Sequence, residues 1–209
     1  MKTNQNCSNP ICNGKCTRRL FIIKSIFTSI GVAFSSNLLL AGSSKSLYGK
    51  RQEDTIFKEL DTIVEEYYPK FGTCSQTSFY ALNKVFNINA EEFVKSLVSM
   101  PGIALRGETC GAVTGSLLAI AMVYEEDIFD EERKRLSRQP SFSFCSQFEN
   151  IFGSTRCRDV IENVTGKKYK VNKPEDYNLL GQEGVYEHCP GIIKEAVHIA
   201  AKIILKKTG

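Results

Sequence analysis

The run GAVTGSLLAIAMVY, residues 111–124, carries apolar or small residues on nearly every face. A helix of that kind has no solvent side, so it must lie at the centre of whatever the chain builds. The flanking segments predict helices to surround it. RQEDTIFKELDTIVEEYY places Ile56, Leu60, Ile63, Val64 and Tyr67 at helical spacing, with charges opposite. SQTSFYALNKVF repeats the pattern through Phe79, Leu82, Val85 and Phe86. NAEEFVKSLVSM predicts a short amphipathic helix stopped by Pro101-Gly102. DEERKRLSRQPSFSFCSQFENIFG reads as a helix interrupted at Pro140. RCRDVIENVTG reads as one ending at Gly166, and YKVNKPEDYNLLGQEGVYEH as irregular or short-helical. PGIIKEAVHIAAKIILKK closes the chain with Ile192, Ile193, Ala196, Val197, Ala200, Ile203 and Ile204 inward. No run alternates as a strand would, and no internal repeat occurs. The expected fold is therefore all-α, a single-domain helical bundle.

The formal charge of +4 is unevenly spread. Residues 1–45 hold six Lys/Arg and no acid, which leaves 21 bases against 23 acids in residues 46–209. That body is near neutral and lacks the basic patch nucleic-acid binding requires, so no nucleic-acid partner is expected. Residues 1–45 read as a leader. TRRLFIIKS sets Arg18 beside Arg19, a moderately apolar stretch follows, SIFTSIGVAFSSNLLLAG, and then small residues, AGSSKS. This is the outline of a twin-arginine export signal; a retained N-terminal membrane anchor is the alternative. The expected organisation is a leader over 1–45 and one domain over 46–209, in the periplasm or on the outer face of the cytoplasmic membrane. The twin-arginine route carries folded cargo, often already loaded with a cofactor, which hints at a prosthetic group.

Eight cysteines are present. Cys7, Cys12 and Cys16 could bind metal by their spacing, but they precede the arginine pair and should stay behind with the leader. Cys145 lies in the aromatic stretch FSFCSQF and reads as core. The other four share a position. Thr73-Cys74-Ser75-Gln76 fits a capping box, with Gln76 reaching back to Thr73. Thr109 is the expected cap of the central helix, with Cys110 after it. Ser154 is the expected cap of the next helix, with Cys157 about one turn in, between Arg156 and Arg158. Pro190 suits a first helical position, which makes Cys189 an N-cap. A cysteine at a helix start faces unpaired N–H groups and the positive end of the dipole, so its thiolate is favoured. If the four starts converge, Cys74, Cys110, Cys157 and Cys189 form one pocket of thiolates. Such a pocket suits an iron–sulfur cluster, a tetrahedral zinc ion or a reactive dithiol pair, with two structural disulfides as the plain alternative.

ETCGAVTGSL, preceded at a distance by CSQTSFYALN and followed by FGSTRCRDVI and HCPGIIKEAV, resembles the C-GCAxxG-C-C family of redox-active proteins over roughly residues 55–205. The family's four cysteines fall on Cys74, Cys110, Cys157 and Cys189, and Cys145 is outside the pattern. The resemblance implies an all-helical redox domain, often exported, with a periplasmic or membrane oxidoreductase as electron partner. The family includes the split-Soret cytochromes, in which a comparable domain holds an iron–sulfur centre beside haems. That likeness implies an iron–sulfur cluster, [2Fe–2S] or similar, and a homodimer. Two departures stand out. The glycine-rich run before the central cysteine is here SMPGIALRG, with fewer glycines. The C-x-x-C-H haem motif is absent, so no covalent haem is expected, and no C-x-x-C occurs at all.

Other catalytic signatures are missing: no Walker loop, G-x-G-x-x-G, H-E-x-x-H or nucleophile elbow occurs. The only histidines are His188, beside Cys189 as a candidate base or ligand, and His198, expected at the core edge. Glu125, Glu126, Asp127, Asp130, Glu131 and Glu132 lack calcium-loop spacing and read as a solvated helix start. Glu108 is placed to tune Cys110 or to pair with Arg106, and Arg156 and Arg158 to favour a thiolate at Cys157. The expected function is electron transfer through an iron–sulfur cluster on the four cysteines, rather than stand-alone catalysis. The alternatives are an accessory protein holding zinc or disulfides there, and a thiol–disulfide redox protein.

Overall fold

The computed structural model describes residues 43–124, 130–171 and 174–208. The leader, with Cys7, Cys12, Cys16, Arg18 and Arg19, lies outside the described residues, as do Glu125, Glu126 and Asp127. In chain order the elements are α1 (Ser43–Phe71), α2 (Cys74–Val85), a 3₁₀ segment (Glu91–Ser99), the single turn α3 (Gly102–Leu105), α4 (Gly111–Tyr124), α5 (Glu131–Phe152), α6 (Cys157–Thr165), α7 (Pro174–Gln182), a second 3₁₀ segment (Val185–His188) and α8 (Cys189–Thr208). No strand occurs among the described residues; an isolated bridge joins Thr109 to Arg156. The fold is all-α, as the periodicities predict.

The all-apolar helix is α4, with Ala112, Val113, Ala119 and Ile120 wholly buried. It packs against α2, α8 and α5, and α1 closes over α2 and α8. Leu60 and Val64 of α1, Phe79 and Leu82 of α2, Phe144 and Phe148 of α5, and Ile193, Ala196, Val197 and Ile204 of α8 fill the same core at zero exposure. Each large side chain buried there contributes about 1.5–3 kcal/mol of apolar transfer. The tightest contact is α2 on α4. A Cβ at Gly111 would stand 2.9 Å from Ser75 N and 3.0 Å from Cys74 Cβ, and one at Gly115 would run into the Ser75 carbonyl. Bare backbone at these two positions lets α2 lie directly on α4. His198 is at the core edge, as expected; it sits 2.8 Å from the Asp61 carboxylate and stacks on Phe57 at 4.3 Å, tying α8 to α1.

Four local readings are corrected or extended. Residues 91–99 wind as 3₁₀ rather than α. Two carbonyls there are taken by α2, Val94 by Gln76 at 3.1 Å and Leu97 by Ser75 at 2.7 Å, which turns them off the axis and favours tighter i→i+3 bonds. Pro140 does not interrupt α5. The carbonyl that loses its donor belongs to Leu136, on an exposed turn open to solvent. The helix begun in residues 51–68 reaches from Ser43 through Pro69 to Phe71.

The fourth concerns SMPGIALRG. Gly102, Ile103, Ala104 and Leu105 have φ of +54°, +45°, +54° and +61°, so α3 is a left-handed turn. It is closed by Leu105 N–H to Pro101 O and Arg106 N–H to Gly102 O, both 2.9 Å. Three residues with side chains thus hold a conformation that glycine takes freely and others reach at a cost of about 1–2 kcal/mol each.

Candidate functional site

Two loops bring Cys110 and Cys157 together through main-chain bonds. Cys110 N–H donates to Thr155 O at 2.8 Å, Cys157 N–H to Glu108 O at 2.6 Å, and Arg158 N–H to Gly107 O at 3.2 Å. With the Thr109–Arg156 bridge, these bonds zip the chain before α4 to the chain before α6. The cap of α4 is Cys110 itself, not Thr109. Its carbonyl accepts from Val113 and Thr114 N–H at 3.0 and 3.1 Å, and the Ala112 and Val113 N–H groups at the helix start lower the pKa of its thiol. A sulfur stands where Ser, Thr or Asp usually cap. Cys157 is the first residue of α6, not one turn in. Ser154 binds Arg156 N–H at 3.0 Å and Asp159 at 2.9 Å instead of capping farther along.

Helix packing brings in the other two. Cys74 is the first residue of α2, and the bare backbone of Gly111 lets it approach the start of α4. The expected capping box does not form. Thr73 is at the N-cap, but its hydroxyl donates to Gln76 Oε1 at 2.7 Å, while the Gln76 amide is spent on Val94. Cys189 opens α8 with helical φ and ψ, directly after the 3₁₀ segment Val185–His188, so it is the first residue of the helix rather than its cap.

The four thiols interact most strongly as two couples, Cys74 with Cys189 and Cys110 with Cys157, and each couple feels the charge of the other. All are free cysteines. In each couple one sulfur takes the charge. The bond from Cys157 lowers the pKa of Cys110, helped by the Ala112 and Val113 N–H groups and opposed by burial. The bond from Cys74 lowers that of Cys189, helped by the Tyr68 hydroxyl. Their partners are pushed up: Cys157 and Cys74 are held protonated by donating that bond, and by burial. Cys110 and Cys189 are 4 % and 7 % exposed, whereas Cys74 and Cys157 are only partly buried. No three Cys, His, Asp or Glu side chains among the described residues converge on one point as ligands of a single ion.

Around the couples, Glu108 does not pair with Arg106. Its carboxylate reaches Arg158 at 2.8 Å and Arg156 at 3.5 Å, because the zipped loops carry all three to the same mouth. His188 is exposed and lines an open groove with Phe152, Val164 and Glu195. Cys145 is packed against the main core, and burial raises its pKa. The pattern of cysteines did not point to three tyrosines. Tyr68 lies by Cys189, Tyr177 by Cys157, and Tyr186 between them, with burial raising the pKa of all three. Tyr68 and Tyr186 each precede a site cysteine by a few residues, the one sequence signal available. Tyr177 arrives only through a second small core of Ile161, Val171, Leu180 and Val185, against which Cys157 packs.

The fold and site define an all-helical domain built around four gathered cysteines. The family profile described as "Putative redox-active protein (C_GCAxxG_C_C)" matches residues 72–203, more than half of the chain and all four site cysteines. The chain belongs to this family. No curated protein and no solved structure matches it.

Proposed function

We propose that the protein transfers electrons through an iron–sulfur cluster held by Cys74, Cys110, Cys157 and Cys189. The observation that carries this reading is the gathering of four cysteines from four helix starts into one shielded site, with Cys110 and Cys189 buried and Cys74 and Cys157 only partly exposed. A thiol–disulfide enzyme needs an accessible thiolate that can attack a substrate disulfide. A buried one-electron centre needs no such contact.

The donor set fits the cluster. Four shielded thiols that raise one another's cost of ionisation suit a cationic metal, which would offset the burial of their thiolates. Thiols grouped two by two suit a [2Fe–2S] cluster, with cysteines on both irons, better than a zinc ion that draws four ligands to one point. When bound, the cluster supplies reversible one-electron storage. The chain does the rest: Ala112 and Val113 aim N–H groups at Cys110, Arg156 and Arg158 stand at the mouth, and the small core around Tyr177 excludes water. Donors to the sulfurs favour the reduced, more negative state. The leader read in residues 1–45 makes the electron partner a periplasmic or membrane oxidoreductase; replacing Arg18 and Arg19 by lysine should hold the protein in the cytoplasm.

The test is anaerobic purification or reconstitution with ferrous iron and sulfide, followed by visible absorption and iron analysis. Coloured protein with about two irons per chain is expected. A second reading follows from the pairing of the thiols, since each couple could be oxidised to a disulfide. Colourless, iron-free protein whose couples oxidise reversibly would favour it.

A further inference from the structure

An open groove of about 470 Å³ lies where the ends of α5 and α6 meet the start of α8. Ile151, Phe152, Val164 and Ile192 give it an apolar lining, and Ile151 and Val164 stand 53 % and 36 % exposed. Glu187 and Glu195 line it too, both exposed, and neither has a cationic partner among the described residues. Lys194, next to Glu195 in the chain, is held by Glu65 of α1. The groove is therefore apolar with two unbalanced negative charges at its rim.

Gly191 lines the same groove, exposed in the first turn of α8, and a Cβ there would meet nothing within 4 Å. Glycine is the poorest helix former after proline. At Gly111 and Gly115 its bareness is used by α2, but at Gly191 nothing inside the chain uses it. Bare backbone that faces open space beside exposed apolar side chains suits the close approach of another protein.

We propose that this groove is the docking site of the electron partner, and that the partner is a basic protein presenting lysine or arginine around an apolar tip. What is exchanged there rests on the electron-transfer function proposed above; the docking itself does not. Gly191 follows Cys189 by two residues, so a carrier seated in the groove faces the turn that holds one of the four sulfurs. Charge selects the occupant. A second copy of this chain, docked through the same face about a two-fold axis, would set Glu187 and Glu195 against like charges. The other approach to the site, the mouth by Cys157, carries Arg156 and Arg158 around Glu108, so a basic carrier is steered to the groove instead.

The test titrates the full chain with ferric cytochrome c, a basic one-electron protein, by calorimetry at low salt, with an acidic plant-type ferredoxin as control. Wild type should bind cytochrome c and not ferredoxin. Glu187→Gln combined with Glu195→Gln should weaken binding about tenfold, the joint weight of two exposed ion pairs, and the difference should fade as salt is raised to about 0.5 M. Gly191→Leu should abolish binding while the melting temperature holds or rises, because leucine is the better helix former and the space is open. A lower melting temperature in Gly191→Leu would show that the glycine serves the fold and overturn the proposal. So would unchanged binding in either variant, no binding of cytochrome c by wild type, or equal binding of ferredoxin. These titrations need no cluster. In cluster-loaded protein reduced beforehand, one electron leaves the site and takes the haem from ferric to ferrous. Binding without that transfer would count against the function proposed above and leave the docking standing.

Discussion

The two cysteine couples are assembled by different means. Cys110 and Cys157 are fixed by main-chain bonds between two loops, with charged side chains closing the mouth. Cys74 and Cys189 are fixed by how α2 and α8 lie against α4, through bare backbone at Gly111 and Gly115 and a shared apolar core. One couple depends on local backbone geometry and the other on global packing. Perturbations should therefore separate them, unless a cofactor joins the two.

The largest effect tests that union. Cys110→Ser, and equally serine at Cys74, Cys157 or Cys189, should abolish iron content and visible absorption together, because three thiolates hold the cluster poorly. Cys145→Ser should leave both intact. A spectrum that survives loss of either member of one couple would mean the couples work independently.

Packing comes next. Gly115→Ala drives a methyl into the Ser75 carbonyl and 3.0 Å from Ser78 Cβ. It should destabilise the fold by about 1–3 kcal/mol in denaturant titrations. In the metal-free protein it should disturb disulfide formation at Cys74–Cys189 more than at Cys110–Cys157. Equal damage to both would show that the loop bonds do not hold their couple alone.

The pH dependence is shared by the couples. In metal-free reduced protein, Cys110 and Cys189 have lowered pKa values, so their contribution is full above the ordinary thiol value and is lost as pH falls through the folded value. Cys74 and Cys157 have raised values, so their contribution is full below the ordinary value and is lost as pH rises through the folded one. The two trends meet near the unfolded thiol pKa of about 8.5, with slopes of up to about 1.4 kcal/mol per pH unit per thiol. Melting temperature should peak there, and in a protein with all four cysteines replaced by serine that peak should vanish.

The smallest effect is confined to the loop-held couple. Glu108→Gln leaves Arg156 and Arg158 unopposed beside Cys157, which favours the reduced form. The disulfide ratio of Cys110–Cys157 should fall about two- to threefold at low salt, the weight of an exposed ion pair, and the difference should fade in 1 M salt. A shift at Cys74–Cys189 of the same size would contradict the local reading.

Much of the packing-held half could be read from the chain. The inward set of α8 is buried as its spacing predicts, and α4 is central because no face of it suits water. The loop-held half was legible only in part. The cysteines were placed at helix starts by their capping neighbours, yet the sulfur of Cys110 proved to be a cap itself. Thr73 and Gln76 bind elsewhere because the 3₁₀ segment competes for them. Nothing local announces the left-handed turn, since Ile103, Ala104 and Leu105 are ordinary in right-handed structure, and it takes contacts distant in sequence to hold them otherwise. Tyr177 was invisible for the same reason. It reaches Cys157 through a small core that exists only once α6 and α7 have folded together.

The order of the cysteines along the chain gives synthesis a direction. Cys157 leaves the ribosome roughly 30 residues before Cys189, an interval of about 2–6 s at ordinary elongation rates. During that interval the loops carrying Cys110 and Cys157 can already meet, while Cys74 still waits for the last helix. The nascent protein thus passes through a half-built stage with one couple closed and one thiol unmatched. Oxidants or stray metal encountered then would capture Cys74 before its proper partner exists. Completion of α8 is the event that ends this exposure, so a chain stalled or clipped before Cys189 should accumulate adducts at Cys74 rather than at Cys110.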